Sequence, residues 1–185
     1  MLQNKLSITA MLLIAFFCWQ GCLTYERMRV EIIFAEDFSE GRITITYTNI
    51  SSGESDHEGQ QKDFEELLRI VEGNVLYLDA LDQGIYVQEI NLRKEEDRLV
   101  GSYSGIFRNL KLDDVKMKIR DGERSVVIKK ESGERLITNA RILETDETYE
   151  LVWPKSEREI WFEIIPSGDE PVYSLVPFYD EWQRK

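Results

Sequence analysis

The chain has 185 residues, 42% hydrophobic and 31% charged, which excludes a disordered polymer and allows one packed core of ordinary domain size. Its 23 Lys and Arg against 35 Asp and Glu leave a net charge of −12, a balance that excludes nucleic acid as a natural partner and keeps the chain soluble. The two cysteines, Cys18 and Cys22, both lie near the start, so neither a disulfide framework nor a zinc site is in prospect.

Lys5 is the only charged side chain before Glu26, and residues 6–19 are largely apolar. As a helix that stretch would be about 21 Å long, short of a hydrocarbon core of about 30 Å. A positive start, an apolar centre and a small residue before a break form the pattern of a cleaved export signal. The break is Trp19-Gln20-Gly21-Cys22, which resembles the lipobox of bacterial lipoproteins, where a small residue precedes a cysteine. Gly21 and Cys22 carry the likeness, whereas Trp19 and Gln20 stand where Leu followed by Ala or Ser is usual.

The resemblance implies a diacylglycerol on the Cys22 thiol, cleavage just before it and often acylation of the new amine. Residues 1–21 are then a signal peptide and residues 22–185 a single exported domain, lipid-anchored in the cell envelope. Two or three acyl chains, at about 0.8 kcal/mol per buried methylene, hold firmly where one does not. Leu23 replaces the Asp that retains many lipoproteins at an inner membrane, which implies the outer membrane in a two-membrane bacterium. An uncleaved signal-anchor, or a secretory signal with an incidental cysteine, is the alternative.

From Tyr25 onward, period-2 patterns take over. Met28, Val30, Ile32 and Phe34 alternate with polar residues, and Ile43, Ile45 and Tyr47 alternate with threonines over 42–48. Asp37 to Gly41 reads as the hairpin link between them, and 50–60 as a polar loop. One helix follows, with Phe64, Leu67, Leu68 and Val71 on its apolar stripe and Lys62, Asp63, Glu65, Glu66 and Arg69 facing away. Gly73 ends it as a left-handed residue. Strands are then expected over 75–81, 85–92, 99–107, 115–120, 125–130, 136–143, 148–153 and 159–165, joined by turn-prone segments at 82–84, 94–97, 121–122 and 132–133. The aromatic tail with Tyr173, Phe178, Tyr179 and Trp182 is expected to pack. The fold class is α+β, mainly antiparallel β: a meandering sheet or open barrel or sandwich, with one amphipathic helix packed on it.

Chemistry-bearing residues are few. His57, between Asp56 and Glu58, reads as a solvated loop histidine, because neighbours on an extended chain diverge. Gly101-Ser102-Tyr103-Ser104-Gly105 fails as a nucleophile elbow, since tyrosine occupies the centre and the setting is a strand. The acidic pairs Asp79/Asp82, Asp113/Asp114 and Asp146/Glu147 match no calcium loop. Gly122 and Gly133 stand alone in hairpin turns, with no phosphate-cradling pattern and no cofactor motif. Trp153, before Pro154, and Trp161 read as core ahead of pocket.

Cys22 is thus the one site residue, for lipid attachment, and no catalytic, cofactor-binding or metal-binding residue is expected. The leading expectation is a non-enzymatic binding or structural module of the envelope, meeting the membrane through its lipid, with an envelope protein or an apolar ligand as the candidate partner. A carrier of an apolar or lipid ligand and a carboxylate-dependent hydrolase are the alternatives.

Overall fold

A computed structural model describes residues 22–36, 39–108, 110, 116–120, 122–130, 133–168 and 171–184. The signal-like segment 1–21 and the pair Asp113/Asp114 lie outside the described residues.

The largest sheet grows from the two alternating segments at the start. Strands β2 (Arg27–Phe34) and β3 (Glu40–Thr48) form a hairpin, flanked on one side by β6 (Arg98–Arg108) and β5 (Ile85–Glu95), and on the other by β12 (Glu159–Ile165) and β9 (Arg135–Thr138). Its order is β5-β6-β3-β2-β12-β9, an open sheet that ends in β5 and β9 among the described residues. All the pairings are antiparallel, as the period-2 pattern and short links require.

Register explains why one face is buried. Ile164, Met28, Tyr47 and Gly101 form one cross-strand row, Phe162, Val30, Ile45 and Tyr103 the next, and Ile160, Ile32, Ile43 and Gly105 a third. Because side chains alternate, these rows share a face. Each large apolar side chain so buried stabilises the fold by about 1.5–3 kcal/mol. The glycines make room: a Cβ at Gly101 would meet Ile50 Cδ1 at 2.8 Å, and one at Gly105 the Tyr86 carbonyl oxygen at 2.6 Å.

A second sheet has the order β10-β11-β8-β7, built from β7 (Lys116–Arg120), β8 (Glu123–Lys129), β10 (Arg141–Glu144) and β11 (Thr148–Pro154). Its buried Val126, Ile128, Tyr149, Leu151 and Trp153 join the same continuous core as the rows above. Arg124, fully buried, lies with its guanidinium 3.9 Å over the Phe34 ring and donates to the Glu157 carbonyl, tying this sheet to the far end of β2.

Helix α1 (His57–Glu72) starts where Asp56 caps it, the carboxylate accepting from the Gly59 N–H at 2.9 Å. It buries Asp63, Phe64, Leu67 and Ile70, while Leu68 and Val71 are only partly covered. The buried face is therefore rotated from the expected stripe, and Asp63, expected to face away, points inward. Gly73 ends the helix in an extended conformation (φ −87°, ψ 178°) and not a left-handed one. Its N–H reaches the Arg69 carbonyl, and a Cβ there would stand 2.3 Å from that oxygen. Close approach, not positive φ, calls for glycine.

Other expectations need correction. Residues 75–81 are not a strand but most of helix α2 (Val75–Asp82). The run Val-Leu-Tyr-Leu-Asp-Ala-Leu is apolar without period, and Leu and Ala favour helix. Leu76 and Ala80, four apart, are its buried pair, while Val75, Tyr77, Leu78 and Leu81 stay exposed. With α3 (Val176–Trp182) in the tail there are three helices among the described residues, not one.

The single strand expected over 136–143 is two, β9 and β10, which belong to different sheets. Asn139 makes the corner: its Oδ1 accepts from Trp153 Nε1 at 2.7 Å and from the Trp161 N–H at 3.0 Å. Gly122 (φ 82°) does sit in the β7–β8 hairpin, but Gly133 (φ 80°) lies where the chain crosses from one sheet to the other.

Candidate lipid-attachment site

The loop expected over 50–60 is in fact the frame of the chain's described start. Strand β4 (Ser51–Ser52) lies between β1 (Leu23–Thr24) and β13 (Tyr173–Ser174) in a small third sheet. Leu23 is paired with Ser52 and is only 5% exposed, so the first described strand begins one residue after Cys22. Burial gives leucine at this position a packing role as well.

Cys22 itself is exposed, and its backbone is held at both ends. Its N–H donates to Asp63 Oδ1 at 3.1 Å, and its carbonyl accepts from the Gly53 N–H at 2.7 Å. The thiol lies 3.0 Å from Glu54 Oε1. Asp63 is 3% exposed, and its other oxygen accepts from Ser52 Oγ at 2.5 Å. Ser52 Oγ in turn accepts from the Glu54 N–H at 2.9 Å. A buried carboxylate is costly unless hydrogen-bonded, so this chain of bonds joins the helix to the start of the chain.

Gly53 allows the close approach, since a Cβ there would stand 3.1 Å from the Cys22 Cβ. Gly59 does the same against Glu54, whose Cβ would be 2.7 Å away. Gln60 Nε2 donates to the Glu54 carbonyl at 3.0 Å, pinning the loop to α1. The surroundings are acidic: Glu54 meets the thiol, and Glu54, Asp56 and Glu58 lie around Lys62, which pairs with Glu58 at 2.8 Å. The hydrogen bond that Lys62 donates to Glu58 raises the Lys62 pKa.

Asp63 was open to detection in the sequence. It stands four before Leu67 and seven before Ile70, on the helix face that is buried. Ser52 gave no comparable sign, because two-residue strands have no period.

The remaining candidates do not converge. His57 is the first residue of α1, not a loop residue, and its ring lies 5.1 Å from that of Phe178. Asp79 and Asp82 sit on α2, where burial raises the Asp79 pKa and Asp82 adds to it. Asp146 and Glu147 lie exposed in the turn before β11. Gly101 to Gly105 run inside β6, where burial raises the Tyr103 pKa well above the tyrosine range. Trp153 is core, and Trp161 lies beneath the Arg29 guanidinium at 4.3 Å on the opposite face. Among the described residues no group of three or more His, Cys, Asp or Glu could hold a metal ion, and no helix is long and apolar enough to cross a membrane.

Comparison of the chain with protein-family models, with curated proteins and with solved structures gave no match.

Proposed function

We propose that this chain is a bacterial lipoprotein, exported, cut before Cys22 and anchored by lipid on the Cys22 thiol. Its folded part then serves as a non-enzymatic binding or structural module at the membrane surface of the cell envelope. In a two-membrane host the residue after the cysteine, Leu23, points to the outer membrane. One observation carries the reading: a signal-like segment ends in Gly21-Cys22, and the described fold begins directly after it with that cysteine exposed. The exposed thiol, which donates to Glu54, thus lies at the boundary where cleavage would fall.

The test is mass analysis of the protein purified from its native host, beside growth with labelled palmitate. The expected result is a mature chain beginning at Cys22 with added diacylglycerol, and loss of label and of membrane association in Cys22→Ser. A mature chain that starts elsewhere, or an unmodified Cys22, overturns the proposal.

A further inference from the structure

We infer that Asp63 receives the amino end of the mature chain and seats the Cys22 end of the fold directly against a lipid bilayer, with no tether between. This rests on the lipoprotein reading and adds an orientation and a docking residue to it. The surface concerned is the end bearing Cys22, the Gly53–Ser55 turn and the beginning of α1.

Three observations converge on it. Asp63 is buried within the helix, yet one carboxylate oxygen is committed to the Cys22 nitrogen. After cleavage that nitrogen still carries a proton to donate, as an ammonium or as an acyl amide, so the bond survives either form. The Cys22 carbonyl is fixed by Gly53 and Leu23 by β4, so no free residue separates the thiol from ordered structure. A flexible linker of n residues spans about 5–6 Å × √n, and here n is zero. Lipid on the exposed thiol therefore brings the bilayer to within a side chain's length of this end. The far end of β2, with Glu36, lies about 25 Å away along the strand.

The acidic groups on this face, Glu54, Asp56 and Glu58, predict the lipid preference. Seating is favourable on a zwitterionic surface and opposed by anionic headgroups at low salt.

The experiment uses the full chain, made in a bacterium that processes lipoproteins, with acylation of Cys22 checked by mass in every sample. Single labelling sites are introduced by Ser55→Cys, near the seated end, and Glu36→Cys, at the far end; acylation leaves these as the only free thiols of a chain cut before Cys22. A donor at each site is read against headgroup-linked acceptors in phosphatidylcholine vesicles. The expected result is at least fivefold more efficient transfer from position 55 than from 36, falling to near equality when ten Gly/Ser residues are inserted between Cys22 and Leu23. The insertion leaves an N–H opposite Asp63, so the fold is retained. Equal transfer from both sites in acylated protein lacking the insert overturns the seating while leaving lipidation intact. Absence of acyl groups on Cys22 overturns both. Asp63→Ala, acylated and folded by circular dichroism, should reduce the ratio, and an unchanged ratio removes Asp63 from the docking role.

Discussion

The carboxylate of Asp63 accepts the backbone N–H of Cys22, 41 positions earlier, while its second oxygen accepts from Ser52. Helix and chain start are thus joined through one buried group. Asp63→Ala should lower stability by about 1–3 kcal/mol, because two donors lose their acceptor at once. Ser52→Ala removes both the donor to Asp63 and the acceptor of the Glu54 N–H, and should also cost about 1–3 kcal/mol. Urea unfolding of the two variants beside the parent measures both, and parent-like stability in Asp63→Ala would show that the Cys22 and Ser52 bonds contribute nothing.

Gly41 lies where a Cβ would stand 2.3 Å from the Ile33 carbonyl oxygen and 2.7 Å from the Phe107 ring. Gly41→Ala should therefore destabilise by about 1–3 kcal/mol through forced movement of the β2–β3 hairpin. Gly168, with nothing within 4 Å of a Cβ, is the control, and Gly168→Ala should stay within about 0.5 kcal/mol of the parent. Thermal unfolding of both checks the contrast.

Much of this architecture was legible in the sequence because strands such as β2 and β3 are half-buried and print their period. Helix α1 was legible for the same reason, and its apolar residues fix its face to within one position. What was not legible depends on partners far away. The break between β9 and β10 comes from Asn139 bonding to Trp153 and Trp161. The identity of α2 comes from packing of Leu76 and Ala80, which the apolar run conceals. The third sheet uses two-residue strands, too short for any pattern. At the candidate site, Cys22 came from the export-signal context and Asp63 was open to detection from its spacing to Leu67 and Ile70, whereas Ser52, in a two-residue strand, appears only once the helix is folded back over the described start.

Burial, with smaller contributions from Tyr103 and Tyr25, raises the Tyr47 pKa well above its ordinary value near 10. The folded state holds that proton more tightly than the unfolded chain. Its contribution to stability is complete below about pH 10 and is lost as pH rises toward the folded value. Tyr47→Phe should flatten the alkaline decline in urea stability between pH 9 and about 12. Parallel declines in parent and variant would assign the loss to other groups.

Asp79 shows the same direction at acid pH. Burial, then Asp82, raises its pKa, so the folded state prefers the protonated carboxyl, and stability falls as pH rises through the carboxylate range. Asp79→Asn should thus be slightly stabilising at neutral pH, by no more than about 0.5 kcal/mol, with the gain vanishing toward pH 3. A variant less stable than the parent at pH 7 would contradict the sign.

Strand β4 pairs with β1 on one side and β13 on the other, so Ser52 sits opposite both Leu23 and Tyr173. The sheet that holds Leu23 is therefore closed by contacts between segments far apart in sequence. Bringing such segments together costs loop-closure entropy, so this sheet forms late in folding, after local hairpins such as β2–β3 and β5–β6.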